Sequence, residues 1–530
     1  AGPSTQRQVI LEPLVAPRRT RMGFSPPTAV HRTLTCAGKC KQCILFTHHS
    51  EKHVYLYAMN TIDIDGELSA ANPWWRDPND WQDTDVQLRT ARRSALAYDP
   101  RPLEDLTPGG LYILRGPRRV GKSTALKKLI ARRLDAGTPP RSILHISVEG
   151  RTAQDVVDIV RRASTTWLRG DPGQRLWVID EITGVSGPWP ESVKRLRDSD
   201  THFSADTVIL TGSSAARFEE ARKQLAGRRH AERSDRTLFQ MGFSDVCRAL
   251  GIELPASPSV APAALGDSEF VLGAVEDARP WLSEMIDAWD RYLLVGGYPQ
   301  AVESELSMAQ GETDQALREA LWDVIHGDAF EGSGFSPTQT QTILRSIASS
   351  LSSLYSVEGL ADAVNVAHAT AGSRLDALRR AFIAFPVHRE QGLAPRPRAQ
   401  AKWYFTDPRL ARLASEFGAG SPPDMPALSE QQIAVALLRA LEAESPGAAV
   451  RHDTLLYYRS RTRAEIDFVS PAFAHTCVES KFVNRGWGRA FQTIEASGRR
   501  TGIVATRSGT KKHDGGWALP AGLVAHLIGS

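Results

Sequence analysis

Eight consecutive residues, Gly116, Pro117, Arg118, Arg119, Val120, Gly121, Lys122 and Ser123, set two glycines, a lysine and a hydroxyl at the GxxxxGKS spacing, and Thr124 follows them. Glycines at those positions let backbone N–H groups curl round phosphate oxygens. A lysine there reaches the β and γ phosphates, and the serine hydroxyl is a ligand for Mg2+. The spacing predicts an ATP site cradled by residues 116–124, with Lys122 as its cation and Ser123 on the metal. A second acidic element is needed to hold the metal and activate water. The apolar run 176–179 supplies it by ending in Asp180 and Glu181. Asp180 is expected to hold Mg2+ through water, and Glu181 to act as general base on the attacking water.

Two further groups belong to the same chemistry. The apolar run 207–210 ends in Thr211, Gly212, Ser213 and Ser214, which puts Ser213 in position to sense the γ phosphate or the water. Downstream, LAGRR offers Arg228 and Arg229. Either could stabilise charge in the transition state, in its own subunit or a neighbouring one, or be a solvated arginine at a helix end.

A separate set of carboxylates lies near the C-terminus. Glu465 and Asp467 are two apart on a strand-like run, as are Glu479 and Lys481, so each pair shares one strand face. With Glu430 on a preceding helix, these groups would bind one or two Mg2+ ions and activate water against a phosphodiester. The expected metal ligands are Glu430, Asp467 and Glu479, with Asp467, Glu479 and Lys481 as catalytic groups and Gln492 as a further candidate. The D…ExK pattern resembles PD-(D/E)xK nucleases. That fold also serves as a binding scaffold, so nuclease and scaffold both stay open.

The elements that must position these residues follow from apolar runs and breakers. Strands are expected at 111–114, 142–148, 176–179 and 207–210, with helices at 124–134 and 153–163, alternating as a parallel α/β sheet requires. Residues 255–265, rich in Pro, Ala and Ser, read as a linker or insertion. Two helices within 338–365, a third over 373–383 and a hairpin over 395–404 suit a winged helix. Its arginines Arg374, Arg379 and Arg380, with Arg396, Arg398 and Lys402 in the wing, make DNA a candidate partner beside a protein-scaffold role.

In order, GPRRVGKST, LWVIDEI, LTGSSA, LAGRR and LLVGGYPQAV resemble a widespread prokaryotic group of AAA-type ATPases that carry a winged-helix segment and a restriction-endonuclease-like C-terminal domain of unknown function. The resemblance covers roughly residue 72 to the C-terminus. It implies an α/β fold: a P-loop AAA-type core, then a helical lid, a winged-helix segment and a restriction-endonuclease-like α/β domain. It implies the roles given above for Lys122, Ser123, Asp180 and Glu181, makes Ser213 the sensor, and carries over Arg228 as a finger in competition with Arg229. Homo-oligomers, with sites completed across subunits, are common in such proteins.

The expected divisions are an irregular extension over 1–58, a leader over 59–105, the ATPase core over 106–254, linker and lid over 255–330, the winged-helix-like segment over 331–417 and the C-terminal domain over 427–530. Composition fits several folded domains: 530 residues, 42% hydrophobic and 23% charged, with a net charge of +4. No apolar run spans a bilayer and no signal segment is recognised, so a soluble, cytoplasmic protein without membrane contact is expected. Five cysteines are too few and too unevenly placed for a disulfide framework. Met59 reads as the biological start, and no metal is assigned to Cys36, Cys40, Cys43 and His48. Two functions remain open: an ATPase with a DNA-linked role that gates a Mg2+-dependent nuclease, and a nucleotide-switched DNA- or protein-binding regulator whose C-terminal domain is an inactive scaffold.

Overall fold

The computed structural model describes residues 63–212, 215–256, 260–307, 312–329, 335–396, 399–416, 421–448 and 454–529. The cysteines Cys36, Cys40 and Cys43, His48, Met59, Ser213 and Arg398 lie outside the described residues, and with them the expectations placed on them.

The first sheet is built from β1 (Leu111–Arg115), β2 (Ile143–Ser147), β3 (Leu176–Asp180), β4 (Thr207–Thr211) and β5 (Asp235–Thr237). Its order is β2-β3-β4-β1-β5, and every pairing is parallel. The crossovers carry the helices Lys122–Asp135, Ala153–Arg162, Trp189–Ser199 and Ala215–Gln224. β1, β3 and β4 are buried along their whole length, which is why these runs are continuously apolar rather than alternating. Because all five strands point one way, the segments that follow β1, β3 and β4 emerge at one edge, in adjacent positions.

β2 is an edge strand, and the leader covers it. The Asn72 side-chain amide donates to His145 O (3.0 Å) and accepts from His145 N (2.7 Å), as a neighbouring strand would. The indoles of Trp74 and Trp75 both donate to Ile143 O, at 3.2 and 2.9 Å. An exposed edge is thereby closed by side chains.

A second, nine-stranded sheet contains β6 (Ala384–Gln391), β7 (Ala394–Pro395), β8 (Lys402–Phe405), β9 (Leu456–Arg459), β10 (Glu465–Val469), β11 (Thr476–Lys481), β12 (Thr501–Thr506), β13 (Lys511–His513) and β14 (Gly516–Pro520). Its order is β13-β14-β12-β11-β10-β9-β6-β7, with β8 also on β6. Helices Pro337–Ser349, Val357–Val364 and His368–Arg380 precede β6, the third starting before the expected residue 373. The expected wing is not free-standing. β8 pairs with the first half of β6, and the second half pairs in parallel with β9 through His388↔Leu456 and Arg389↔Tyr457. Backbone groups left unpaired on β6 are satisfied there, so the segments 331–417 and 427–530 share one sheet.

The stretch expected as a linker is tied down. Val260 N donates to Leu527 O (3.0 Å), Thr501 Oγ1 donates to Gly266 O (3.3 Å), and the His526 ring bonds Pro255 O (3.1 Å). Helix Leu282–Val295 packs on the C-terminal helix Ala521–Ile528 and on helix Met425–Glu444. Of the residues expected as a lid, helix Glu312–Val324 and its π-turn Ile325–Ala329 are the part that reaches the phosphate loop.

The two sheets are joined through GGYP. Met241 N donates to Gly297 O (2.7 Å), and Gly297 N donates to Asp407 Oδ2 (2.7 Å). A Cβ on Gly297 would collide with Met241 O, so the close approach requires glycine. Gln240 Nε2 donates to Tyr298 OH (3.2 Å) and Thr406 Oγ1 (3.1 Å) from the same side. No helix of the described residues is long and apolar enough to cross a membrane.

Candidate functional site

The phosphate loop runs from the end of β1 into the helix Lys122–Asp135. Arg119 (φ 66°), Gly116 (φ 138°) and Gly121 (φ 92°) take the left-handed backbone that curls the loop. A Cβ on Gly116 would strike Leu238 O just beyond β5. Lys122 Nζ donates to the carbonyls of Gly116 (2.9 Å) and Pro117 (2.8 Å), which holds its ammonium across the mouth of the loop.

Asp180 ends β3 beside it. Ser123 Oγ donates to Asp180 Oδ2 (3.2 Å), while Thr211 Oγ1 (2.5 Å) and Glu181 N (3.1 Å) donate to Oδ1. Burial works to raise this carboxyl, and the groups around it more than reverse that, so it stays ionised below the usual carboxylate range. His145 Nε2 stands 3.8 Å from Oδ2, beyond hydrogen-bond length. Burial lowers the His145 pKa, and His145, then Thr211 and Ser123, are the groups that hold the Asp180 carboxyl down. Ser123 and Asp180 converge on one point, a donor set of hard oxygens that fits Mg2+.

Glu181 follows with a left-handed backbone (φ 54°) that turns its carboxylate away from Asp180 and into the cleft. Burial, then the neighbouring Asp180, raise its pKa, the direction a general base needs. The strained φ is held in place by Glu181 N on Asp180 and by Gly184 N on Glu181 O (2.9 Å). Gly212 sits so close to Thr183 that a Cβ there would meet its side chain, which brings the end of β4 against the turn after Glu181.

The resulting cleft of 470 Å3 is lined by Arg118, Arg119, Gly121, Lys122, Ser123, Thr124 and Glu181, with Ala320, Asp323, Val324 and Gly327 opposite. That volume suits a nucleotide-sized ligand. Gly116, Pro117 and Val120 shape the loop from behind and do not line the cleft, and Val120 is buried. Asp323 was not legible in the sequence, because nothing local marks which helical residue will face the loop.

Arg228 and Arg229 lie elsewhere. Arg228 Nε donates to Asp198 (2.6 Å), and Arg229 pairs with Asp235 (2.8 Å) while its carbonyl accepts from Leu111 N (2.7 Å). Leu111 begins β1, so LAGRR is at the sheet edge opposite the phosphate loop. Five strand residues, about 16 Å, intervene. An arginine finger acting within the same chain is therefore excluded for both.

The C-terminal carboxylates do converge. β10 carries a bulge between Ile466 and Val469, which takes Asp467 N out of the ladder with β9 to donate to Glu479 Oε2 (2.9 Å). Asp467 Oδ2 accepts from Ser480 N (3.0 Å), and Lys481 Nζ pairs with Glu479 Oε1 (2.6 Å). At the centre stands a residue expected in the exposed wing. Lys402 Nζ is 2.7 Å from Asp467, 2.7 Å from Glu465 and 3.2 Å from Glu430, with its side chain 2% exposed. Tyr404 OH also donates to Glu430 Oε1 (2.6 Å). The oxygens facing the centre are committed to protein donors, so Glu430, Asp467 and Glu479 do not fit a divalent metal in this arrangement. Gln492 is exposed on helix Gly488–Ala496 and makes none of these bonds.

The remaining cations of the expected winged helix are also engaged. Arg379 is buried and paired with Asp376 (2.7 Å), Arg380 pairs with the same carboxylate (3.2 Å), and Arg374 stacks on Phe335. Arg396 stays exposed.

Residues 109–247 match an AAA domain family, and residues 286–420 match a domain of unknown function, DUF8612. Neither match reaches residues 427–530. No curated protein sequence matches the chain. Similar solved structures include a Walker-type ATPase of Pyrococcus abyssi, 14% identical over 57% of this chain and 90% of that one, with a TM-score of 0.35. The ORC2 protein of Aeropyrum pernix, in its ADPNP–ADP complexes, is 13% identical over 60% and 95%, with a TM-score of 0.31. A single-residue variant of Thermotoga maritima RuvB is 17% identical over 55% and 84%, with a TM-score of 0.24. The phosphate loop, the acidic pair and the parallel sheet thus lie in a stretch similar to AAA domains, and they support an AAA-type P-loop ATPase core.

Proposed function

We propose that this chain binds and hydrolyses ATP and that its nucleotide state is linked to DNA. One observation carries the first half: Lys122, Ser123, Asp180 and Glu181 meet at a single sheet edge around a nucleotide-sized cleft. Lys122 and the N-terminus of its helix bind the phosphates, Ser123 and Asp180 would hold Mg2+, and Glu181 takes the proton of the attacking water. When bound, Mg2+ would neutralise phosphate charge. Lys122→Ala is expected to abolish tight ATP binding. Glu181→Gln is expected to keep binding while slowing turnover by about 10²–10⁴-fold, read as phosphate release beside nucleotide titration. Unchanged turnover in Glu181→Gln would remove the base assignment.

The DNA link rests on a different surface from the winged helix. Residues 454–529 hold eleven Lys and Arg against five Asp and Glu, an excess of six in a chain whose total is +4. Lys481, Arg461, Arg463, Arg485 and Lys511 are exposed at the edge where β11, β12 and β14 end and the β9–β10 hairpin turns. Such an edge suits phosphate backbones by charge alone. Reversing Arg461 and Arg463 to Glu is expected to weaken duplex binding and flatten its salt dependence. Binding equal to wild type at every salt concentration would favour a protein partner instead.

A further inference from the structure

We propose that the ammonium of Lys402 is the resident cation of the C-terminal carboxylate cluster, and that it closes this site to divalent metal. The inference does not depend on the ATPase reading. Glu430, Glu465, Asp467 and Glu479 would form a strongly anionic core if left to themselves, and such a core must be neutralised to be stable. A nuclease would use Mg2+ for this, bound at about 2.1 Å with waters retained. Here Lys402 supplies the charge at 2.7 to 3.2 Å from three of the carboxylates.

Its place is built rather than incidental. Lys402 pairs with Val387 in the β6–β8 ladder, which fixes the start of its side chain. The ammonium lies 5.9 Å from the centre of the Tyr457 ring and is almost fully enclosed. Burial opposes its charge, and the facing carboxylates outweigh burial, so it remains protonated. Burial, then Asp467, push Glu479 up to about 8, and burial likewise raises Glu430. Among the described residues, no group of three or more His, Cys, Asp or Glu side chains is arranged to hold a metal ion.

The test is Mn2+ binding, followed by electron paramagnetic resonance, to the full chain without nucleotide. An Asp180→Asn background silences the phosphate-loop site. Wild-type Lys402 is expected to leave the cluster without Mn2+, and Lys402→Met to gain about one Mn2+ per chain that a further Asp467→Asn removes. Mn2+ bound in the presence of Lys402 and lost in Asp467→Asn would overturn the proposal, as would a folded Lys402→Met that gains no site. Should Lys402→Met fail to fold, the comparison of Lys402-containing chains with and without Asp467→Asn decides. Equal Mn2+ binding supports closure, and a difference refutes it. Nicking of supercoiled DNA with Mg2+, abolished by Asp467→Asn, would refute it by a second route.

Discussion

Asp180 depends on its neighbours at the level of single atoms. A buried carboxylate stays ionised only if donors replace water, and Thr211 Oγ1, at 2.5 Å, is the shortest of those that do. Thr211→Val keeps the shape and removes the donor. The expected result is a loss of about 1–3 kcal/mol in urea denaturation, together with weaker Mg2+-dependent nucleotide binding as the Asp180 pKa rises. Unaltered stability would mean that Ser123 and Glu181 N suffice. Thr211 draws no attention in the sequence, where Ser213 is the hydroxyl that stands out. Strand direction explains the miss: in a parallel sheet the last residue of β4 lies beside the last residue of β3, a pairing invisible from spacing along the chain. GxxxxGKS and the acidic pair were legible because their chemistry is written in contiguous residues. Lys402 was not, being 28 residues from Glu430 and 65 from Asp467 in a Pro- and Arg-rich stretch that reads as an exposed hairpin.

Among the elements, the turn after helix Leu282–Val295 shows why a motif can be specific without being catalytic. GGYP, at Gly296 to Pro299, lets the chain pass against Met241 and donate to Asp407. Asp407 is fully enclosed, accepting from Gly297 N (2.7 Å) and Arg409 N (2.8 Å). Burial pushes its pKa up to about 7. A folded-state pKa above the unfolded value means that the carboxyl holds its proton in the native chain while the unfolded chain releases it. Its contribution is therefore complete below about pH 4 and declines until pH reaches about 7, by roughly 4 kcal/mol in all at 1.36 per unit. Asp407→Asn should remove that slope, so the stability of the variant relative to wild type is expected to rise between pH 4 and 7 and to level off above. Denaturation curves with the same difference at pH 5 and pH 8 would show a carboxylate ionised throughout. Of the elements around this clasp, only β8 overlaps an expected one, the hairpin over 395–404; β5, β6 and helix Leu282–Val295 were not placed by apolar periodicity. Nor was the junction, because β6 joins β9 through backbone groups that any residue supplies.

For the whole molecule, the location of LAGRR decides how the chemistry can be completed. Within one chain Lys122, Ser123 and Glu181 line the cleft with Asp180 beside Ser123, while Arg228 and Arg229 occupy the far edge of the sheet. Arg229 is locked into a nearly enclosed network with Asp235, which also pairs with Arg115. Arg228 donates to the Ala226 carbonyl (3.4 Å) and, among the described residues, has one ion-pair partner, the exposed Asp198, in a pair worth little in water and easily exchanged for another anion. Of the two, Arg228 is the one able to leave its partner and reach the phosphates of a second copy. If it does so, turnover per chain will rise with protein concentration as copies associate, and Arg228→Ala will remove the rise, by up to about 10³-fold at saturation. Arg229→Ala should instead lower the melting temperature, since it strips a partner from buried Asp235, without a specific effect on the concentration dependence. Phosphate release followed across dilution distinguishes these cases. Turnover per chain that is constant over dilution, and unchanged in Arg228→Ala, would mean that one copy hydrolyses ATP without an arginine finger, leaving the ion pair with Asp198 as the whole role of Arg228.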